Sequence, residues 1–188
     1  MISPMADRVL VGKLLVASPR LSDGTFDRSV VLLIDHSAGG AVGVVINRPS
    51  TTLVEDALPQ WGDRAAEPPV VFIGGPVSPT AAICLGGWET TPSEGWRPLF
   101  DGLGTLDLER SRHDIVADVD WLRVFAGYAG WGAGQLEDEI ASGAWFVVPV
   151  APTDVLSPDP EQLWRAVLRR QRGAVAAVAN FPADLSVN

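Results

Sequence analysis

The sequence predicts an α+β protein: a single compact domain built on a mixed, largely antiparallel sheet. Short apolar, β-branched runs recur along the 188 residues, and a tight turn joins the two most regular of them. Helical patterns are fewer and do not alternate with the strands in a βαβ rhythm, so a doubly wound parallel sheet is not expected. The length fits one domain over residues 1–188, with residues 1–11 expected to form a flexible N-terminal segment.

The first quarter of the chain predicts three strands. Lys13–Ala17 (KLLVA) is a short apolar run of the kind that forms a buried strand. Ser29–Asp35 (SVVLLID) is continuous and β-branched, which indicates a strand covered on both faces. Ser37–Gly40 then makes a tight connection to Ala41–Asn47, and this pattern predicts a β-hairpin.

The middle of the chain gives weaker signals. Thr52-Leu53-Val54-Glu55 fits a capping box, so it predicts a short helix that ends near Gln60. Residues 114–122 fit either a helix or a loop. Further strands are predicted at Val70–Ile73, Ala81–Leu85 and Thr105–Leu108.

Leu122–Pro149 is the most informative segment. An apolar run, a loop with four glycines at residues 127–134, a short acidic helix and a second apolar run follow one another directly. A strand, a glycine-rich turn and a helix N-terminus are the parts of a phosphate site. However, the spacing G-x-x-G-x-G-x-G matches no nucleotide-binding pattern, and Glu137, Asp138 and Glu139 in the first helical turn would repel an anion. A sharp turn and close packing explain these glycines better.

The last predicted helix begins at Asp159, with proline at its first position, and ends at Gly173. Leu163, Trp164, Val167 and Leu168 form its apolar stripe. Its arginines, at positions 165, 169, 170 and 172, could touch phosphates. A solvated helix face, with arginine near the C-terminus, explains them more simply.

The charge disfavours direct nucleic-acid binding. The net charge is −9, and residues 101–139 hold nine acidic residues against three arginines. Such a surface repels phosphate backbones. No apolar run approaches the roughly 18 residues of a membrane span, and residues 1–8 lack the apolar region of a signal peptide. With a single cysteine as well, the chain is expected to be cytoplasmic and not membrane-bound.

The inventory of reactive residues predicts no catalytic residue, metal or cofactor. His36, His113 and Cys84 are the only histidines and cysteine, so no zinc pattern is possible, and no G-x-S-x-G segment is present. Cys84 lies in an apolar run and is expected to be a buried small hydrophobe.

The candidate ligand- or partner-binding residues lie at predicted strand ends and glycine turns, where binding sites collect. His36 could be an acid, a base or a ligand, or it could cap the turn. Pro49 keeps Arg48 extended, which leaves its guanidinium available to a carboxylate. Tyr128 and Trp131 could line a small cleft, although aromatic residues are more often core. The candidates are His36, Asn47, Arg48, Gly74, Gly75, Tyr128, Trp131, Gln135 and Glu139.

Several motifs together resemble the YqgE/AlgH family, over about residues 12–181. They are G-K-L-L-V-A-S-P from Gly12, F-D-R-S-V-V from Phe26, G-V-V-I-N-R-P from Gly43, G-G-P-V from Gly74, and G-Y-A-G-W with G-Q-L-E-x-E-I between Gly127 and Ile140. The tail L-W-R-A-V-L-R-R-Q is similar to the actinobacterial branch. The resemblance implies one compact α+β domain with a bifurcated sheet flanked by helices. It implies no agreed catalytic residue or cofactor.

Three functions are consistent with these observations. The leading hypothesis is a non-enzymatic cytosolic protein that binds a small molecule or a protein partner through the candidate residues. The resemblance implies a transcriptional regulator, acting directly or through another protein. The third hypothesis is a hydrolase that uses Glu137 or Glu139 with His36. Many family members carry a histidine where this chain has Gly86, which weakens an enzymatic function here.

Overall fold

The computed structural model describes residues 10–21, 24–88, 95–108 and 119–181. Within these ranges the chain forms ten strands and five short α-helices. The strands are β1 (Lys13–Ala17), β2 (Val30–Ser37), β3 (Gly40–Val45), β4 (Pro49–Leu53), β5 (Val70–Ile73), β6 (Val77–Gly87), β7 (Trp96–Phe100), β8 (Leu103–Leu106), β9 (Trp121–Gly132) and β10 (Trp145–Pro149). The helices are α1 (Val54–Ala57), α2 (Gln135–Ala141), α3 (Pro152–Val155), α4 (Leu163–Arg169) and α5 (Gly173–Val178), with 3-10 turns at Pro59–Arg64 and Pro160–Gln162.

The described strands form one sheet in the order β10-β1-β2-β3-β9-β6-β8-β7, and every neighbouring pair along this path is antiparallel. β4 and β5 lie off the path. They pair antiparallel with each other, and β5 runs parallel to β9 at Phe72–Phe125. The predicted α+β class with a mixed, largely antiparallel sheet is therefore confirmed. That the sheet is bifurcated and flanked by helices stays a prediction.

The predicted β2–β3 hairpin is confirmed, and its register decides which residues are neighbours. Ser37 pairs with Gly40 at the turn and His36 pairs with Ala41, while Val31 pairs with Val45 far from the turn. Because β3 also pairs with β9, Ala41 lies opposite Trp131 on its other side. The turn end of the hairpin and the C-terminal end of β9 are thus held together.

The predicted capping box at Thr52 is wrong. Thr52 belongs to β4, and α1 begins after Leu53, which makes no side-chain cap bond. Leu53 pairs with Val70 of β5, so sheet pairing takes the residues that the local pattern assigned to a helix start. α1 is also shorter than predicted, ending at Ala57.

The predicted C-terminal helix is shorter than expected, and a second helix follows it. A 3-10 turn covers the predicted first turn, Asp159 makes no side-chain cap bond, and α4 ends at Arg169. Gly173 does not end this helix but begins α5. Val175 and Val178 of α5 pack against the main core, so the chain turns back to bury them.

The predicted glycine-rich loop at residues 127–134 is wrong, because β9 continues through Gly132. Tyr128 pairs with Val77 of β6, and residues 129–132 pair with β3. The acidic helix that follows is confirmed as α2, with Leu136 buried and Ile140 partly buried, as expected. Residues 114–118 of the segment that fitted either a helix or a loop, and residues 1–9 of the predicted N-terminal segment, lie outside the described residues.

The strand β2 buries both faces, as its continuous apolar run predicted, and its neighbours β1 and β3 do so too. On one face, Leu14 and Leu32 pack with Trp164, Val167 and Leu168 of α4. On the other face, Leu15 and Val31 pack with Trp131, Trp145 and Leu136 of α2. Burial of each such side chain contributes about 1.5–3 kcal/mol. The two helices are therefore fixed to opposite faces of the same three strands.

Candidate functional site

The register of the β2–β3 hairpin separates the candidate residues into three groups. His36 lies at the turn end, across β3 from Trp131. Asn47 and Arg48 follow β3 at the other end of the hairpin. Gly74 and Gly75 lie against β9, where a Cβ added to either glycine would meet the backbone of Gly127 or Tyr128. The remaining candidates, Gln135 and Glu139, are on α2 beside Trp131.

Asn47 joins two of the sequence motifs. Its buried side-chain oxygen accepts the Val30 N–H at 2.8 Å, and its amide nitrogen donates to the Arg28 carbonyl at 2.9 Å. Arg28 has a φ of 52°, a left-handed conformation that is uncommon for arginine. The two asparagine bonds hold this turn against the end of β3, so F-D-R and N-R-P form one surface.

Arg48 does not offer its guanidinium freely, which corrects the prediction made from Pro49. Nη1 donates to the Thr25 carbonyl at 2.5 Å, and Nη2 donates to the Asp27 carbonyl at 3.2 Å. Burial lowers the pKa of the Arg48 guanidinium, and the nearby Asp27 carboxylate partly offsets that effect. Arg48 therefore holds the loop before β2 and contributes positive charge at the same time.

These residues form one wall of a polar cleft that we call the arginine cleft. Its volume is about 240 Å³, and α4 with its preceding turn forms the opposite wall. Arg28 lies over the Trp164 ring, 5.1 Å from its centroid, and donates to the Phe181 carbonyl at 3.1 Å. The lining residues are Asp27, Arg28, Asn47, Arg48, Glu161, Gln162, Trp164 and Arg165.

Sequence reasoning missed most of this cleft. It placed Asn47 and Arg48 among the candidates, but treated Arg165 as part of a solvated helix face. Nothing local in the sequence indicates that α4 packs across from the hairpin end. One signal was available in the sequence. F-D-R precedes the strand β2 and N-R-P follows the strand β3, and antiparallel pairing of these strands brings the two ends together.

Glu139 is the centre of a second polar group, the Glu139 cluster (Trp131, Gln135, Glu139 and Trp145). Its Oε2 accepts the indole N–H of Trp131 at 2.9 Å and that of Trp145 at 2.8 Å. Its Oε1 accepts from the Gln135 amide at 3.0 Å. Both carboxylate oxygens are thus occupied, and both indoles are buried. This arrangement fixes α2 to the sheet and leaves Glu139 poorly placed for proton transfer.

His36 contacts Glu137, an acidic residue of α2 that lies two positions before Glu139. Its Nε2 lies 2.7 Å from Glu137 Oε1, and its Nδ1 is buried with no hydrogen-bond partner in the described part of the chain. A hydrogen bond to its own backbone and the one to His36 lower the pKa of the Glu137 carboxyl. The pair therefore links the hairpin turn to α2 by a hydrogen bond.

Replacing His36 with alanine should raise the pKa of Glu137 without restoring its ordinary value, because the backbone hydrogen bond remains. Carboxyl carbon chemical shifts measured against pH test this directly. A carboxyl with a lowered folded pKa stabilises the protein above its unfolded pKa, and that contribution is lost as pH falls through the folded pKa. The free energy of unfolding should therefore decrease less in the variant than in the unmodified chain as the pH falls. Ser37→Ala, next in sequence, is the control, and an unchanged Glu137 pKa in His36→Ala would contradict the pairing.

Gly74, Gly75 and Tyr128 form a packing contact rather than an open surface. The Gly74 carbonyl accepts the Val45 N–H at 2.8 Å, and the Gly74 N–H donates to the Ala126 carbonyl at 2.8 Å. These bonds tie the end of β5 to both β3 and β9. Val45 lies two residues before Asn47. Its hydrogen bond to Gly74 therefore helps to fix the end of β3 that leads into the arginine cleft.

The described residues contain no group of three or more His, Cys, Asp or Glu side chains that could hold a metal ion. Cys84 is buried as predicted, and burial raises the pKa of its thiol well above the usual range. Over the same part of the chain, no helix has the length and apolar character needed to cross a membrane. The fold and its polar groups define an α+β protein with a mixed sheet and a small arginine-lined cleft.

Comparison with known proteins places this fold in a family. A family model described as AlgH-like matches residues 14–176. UPF0301 proteins of Streptomyces coelicolor and Mycobacterium tuberculosis are 53% and 43% identical to the chain, covering 95% and 100% of it and 95% of each relative. The chain belongs to the AlgH-like family, whose function is uncharacterised.

Two solved structures share the fold. A crystal structure of a protein from Corynebacterium diphtheriae superposes with a TM-score of 0.84 at 31% identity, covering 94% of this chain and 99% of that one. The solution structure of the AlgH protein from Pseudomonas aeruginosa gives a TM-score of 0.66 at 27% identity, with 98% and 99% covered. The resemblance seen in the sequence motifs is thereby confirmed.

Proposed function

We propose that this chain is a non-enzymatic, single-domain cytosolic protein that binds a small anionic molecule in the arginine cleft. One observation carries the proposal: three arginines from separate parts of the chain, Arg28, Arg48 and Arg165, line a single cavity in a protein of net charge −9. Asp27 and Glu161 also line it, so the local excess of positive charge is small and suits a ligand of low charge.

The size of the cleft limits the ligand. Binding pockets for drug-sized molecules occupy about 300–1,000 Å³, whereas this cleft has about 240 Å³. A small carboxylate or a phosphate ester therefore fits better than a nucleotide. Guanidinium groups bind both anions through paired N–H donors.

Arg165 is the residue best placed to meet such a ligand. Arg28 and Arg48 already donate to backbone carbonyls, whereas Arg165 has no hydrogen-bond or ion-pair partner among the described residues. Its guanidinium can therefore bind a ligand without giving up an internal contact. The Gln162 amide, on the same wall, supplies a further donor and acceptor.

Replacing Arg165 with alanine should weaken anion binding by about 10- to 100-fold, the effect of losing one or two charge-assisted hydrogen bonds. Isothermal titration of the whole chain with inorganic phosphate, malonate and succinate measures this. Arg169→Ala is the matched control, since Arg169 is on the same helix, is exposed and does not line the cleft. Failure of all three anions to bind the unmodified chain, or equal weakening in both variants, would overturn the proposal.

A regulatory role for this protein would then be indirect, with the ligand controlling contact with a protein partner. Direct DNA binding finds little support, because Arg170 is engaged by Asp154 at 2.5 Å and Arg165 faces the cleft. That leaves Arg169 and Arg172 of the proposed basic face, too few for a DNA-binding surface.

A hydrolase is a second candidate, and the 2.7 Å contact between His36 and Glu137 favours it. A histidine oriented by a carboxylate is a common general base, although here the other ring nitrogen, Nδ1, is buried, so a substrate would have to displace Glu137 from Nε2. Glu139, the other acid considered for this role, has both oxygens occupied in the Glu139 cluster. Turnover of an ester substrate that disappears in His36→Ala would support this alternative over binding alone.

A further inference from the structure

A second cavity lies at the β7–β8 turn, and we call it the aromatic pocket. Its volume is about 250 Å³. Its lining includes the aromatic residues Trp88, Phe100 and Trp121 and the acidic residues Asp101 and Asp120. No lysine, arginine or histidine is found among the described residues that line it. It shares no lining residue with the arginine cleft.

The aromatic walls are fixed by glycines on neighbouring strands. A Cβ on Gly87 would lie 2.2 Å from Nε1 of Trp121, and one on Gly104 would lie 2.8 Å from the Trp88 ring. The Trp88 ring also packs against Trp96, with centroids 4.7 Å apart. The Trp88 and Trp121 rings therefore pack closely on one side, against strand backbone or a neighbouring ring, which restricts their movement.

The two carboxylates have no partner within the described ranges. Asp101 and Asp120 are exposed, and neither side chain has a hydrogen-bond or ion-pair partner in the described part of the chain. Asp101 is in the two-residue turn between β7 and β8, with a φ of 39°, and Gly102 follows with a φ of 74°. Such a turn accepts aspartate or asparagine equally well, so turn geometry alone does not require the charge at this position.

We propose that the aromatic pocket binds a small organic cation of the quaternary ammonium type. Aromatic faces attract a cation through the ring quadrupole, and this attraction strengthens when the cation is desolvated between several rings. A tetraalkylammonium group has no N–H, so it needs no hydrogen-bond acceptor, and the apolar rings can surround it while two carboxylates balance its charge. The aromatic pocket has both the aromatic residues and the two acidic residues that such a ligand requires.

The test uses a pair of probes of equal shape. Choline and its neutral carbon analogue, 3,3-dimethyl-1-butanol, are titrated separately into the whole chain, and the indole N–H signals are followed by NMR. We expect choline to bind about tenfold more tightly, with the largest shifts at Trp88 and Trp121. Equal binding of the two probes would show an apolar cavity only, and absence of choline binding would also overturn the proposal.

Variants then locate the site. Asp101→Asn with Asp120→Asn removes both charges and should weaken choline binding about fivefold or more, since each exposed pair contributes modestly. Asp138→Asn on α2 removes an equally exposed charge elsewhere and should leave binding unchanged. Unchanged binding in the double variant would overturn the assignment to this pocket. The same variants should bind anions as tightly as the unmodified chain does, because neither Asp101 nor Asp120 lines the arginine cleft.

Discussion

Replacing Glu139 with alanine should destabilise the protein by about 2–6 kcal/mol, because two buried indole N–H groups would each lose their acceptor at a cost of about 1–3 kcal/mol. Trp131 and Trp145 are 7% and 3% exposed, so water reaches their indole N–H groups only through the space that the partly exposed Glu139 side chain would vacate. Phe26 packs against both rings, and its contacts would loosen with them. Unfolding in urea, followed by tryptophan fluorescence, measures the change.

Two matched variants make this result specific to the hydrogen bonds. Asp138→Ala removes a neighbouring acid from the same helix, and its exposed side chain should cost less than about 1 kcal/mol. Glu139→Gln keeps one oxygen for the indoles but loses the charge, so its stability should lie between those of the other two variants. Similar free energies of unfolding for Glu139→Ala and Asp138→Ala would show that the cluster does not hold α2.

Replacing Gly75 with alanine should destabilise the protein by about 3 kcal/mol or more, combining overpacking with backbone strain. The added Cβ would lie 2.2 Å from the Tyr128 carbonyl carbon and 2.3 Å from its oxygen. These are backbone atoms in the middle of the sheet, and they cannot move without breaking the pairing of Val77 with Tyr128. The φ of 156° at Gly75 adds to the strain.

Gly134→Ala separates the two causes. Gly134 also has a positive φ, of 74°, but nothing lies within 4 Å of an added Cβ. The control variant should therefore lose only about 1–2 kcal/mol from its backbone conformation. Thermal unfolding of both variants gives the comparison. If Gly75→Ala were no less stable than Gly134→Ala, the close contact with Tyr128 would have no energetic effect.

The elements predicted correctly from sequence are those in which local pattern and tertiary packing agree. The continuous runs of β1, β2 and β3 are apolar on both faces because α2 and α4 pack on opposite sides. The β2–β3 turn is encoded by its own four residues. For these elements, propensity and burial favour the same structure, so reading the sequence is sufficient.

The incorrect predictions come from contacts distant in sequence. Gly127 belongs to β9 because that strand pairs with β6 and β3, neighbours that no local pattern reveals. Thr52 belongs to β4 because that strand pairs with β5, about twenty residues later. The arginine cleft needs α4 to pack beside the hairpin end, and this also depends on tertiary structure. Two of its residues, Asn47 and Arg48, could be proposed from sequence because they end a strand.

The pairing of β1 with β10 has a consequence for how the protein is made. Lys13 lies opposite Pro149, and Ala17 lies opposite Trp145. During synthesis, β1 can pair with β2 early, but its other edge stays uncovered until β10 leaves the ribosome. An apolar strand with an open edge is prone to pair with other chains, and long-range strand pairing slows folding. Nascent chains stalled before residue 145 should therefore need a chaperone on the open edge of β1, and this requirement should fall once β10 is available to pair with that edge.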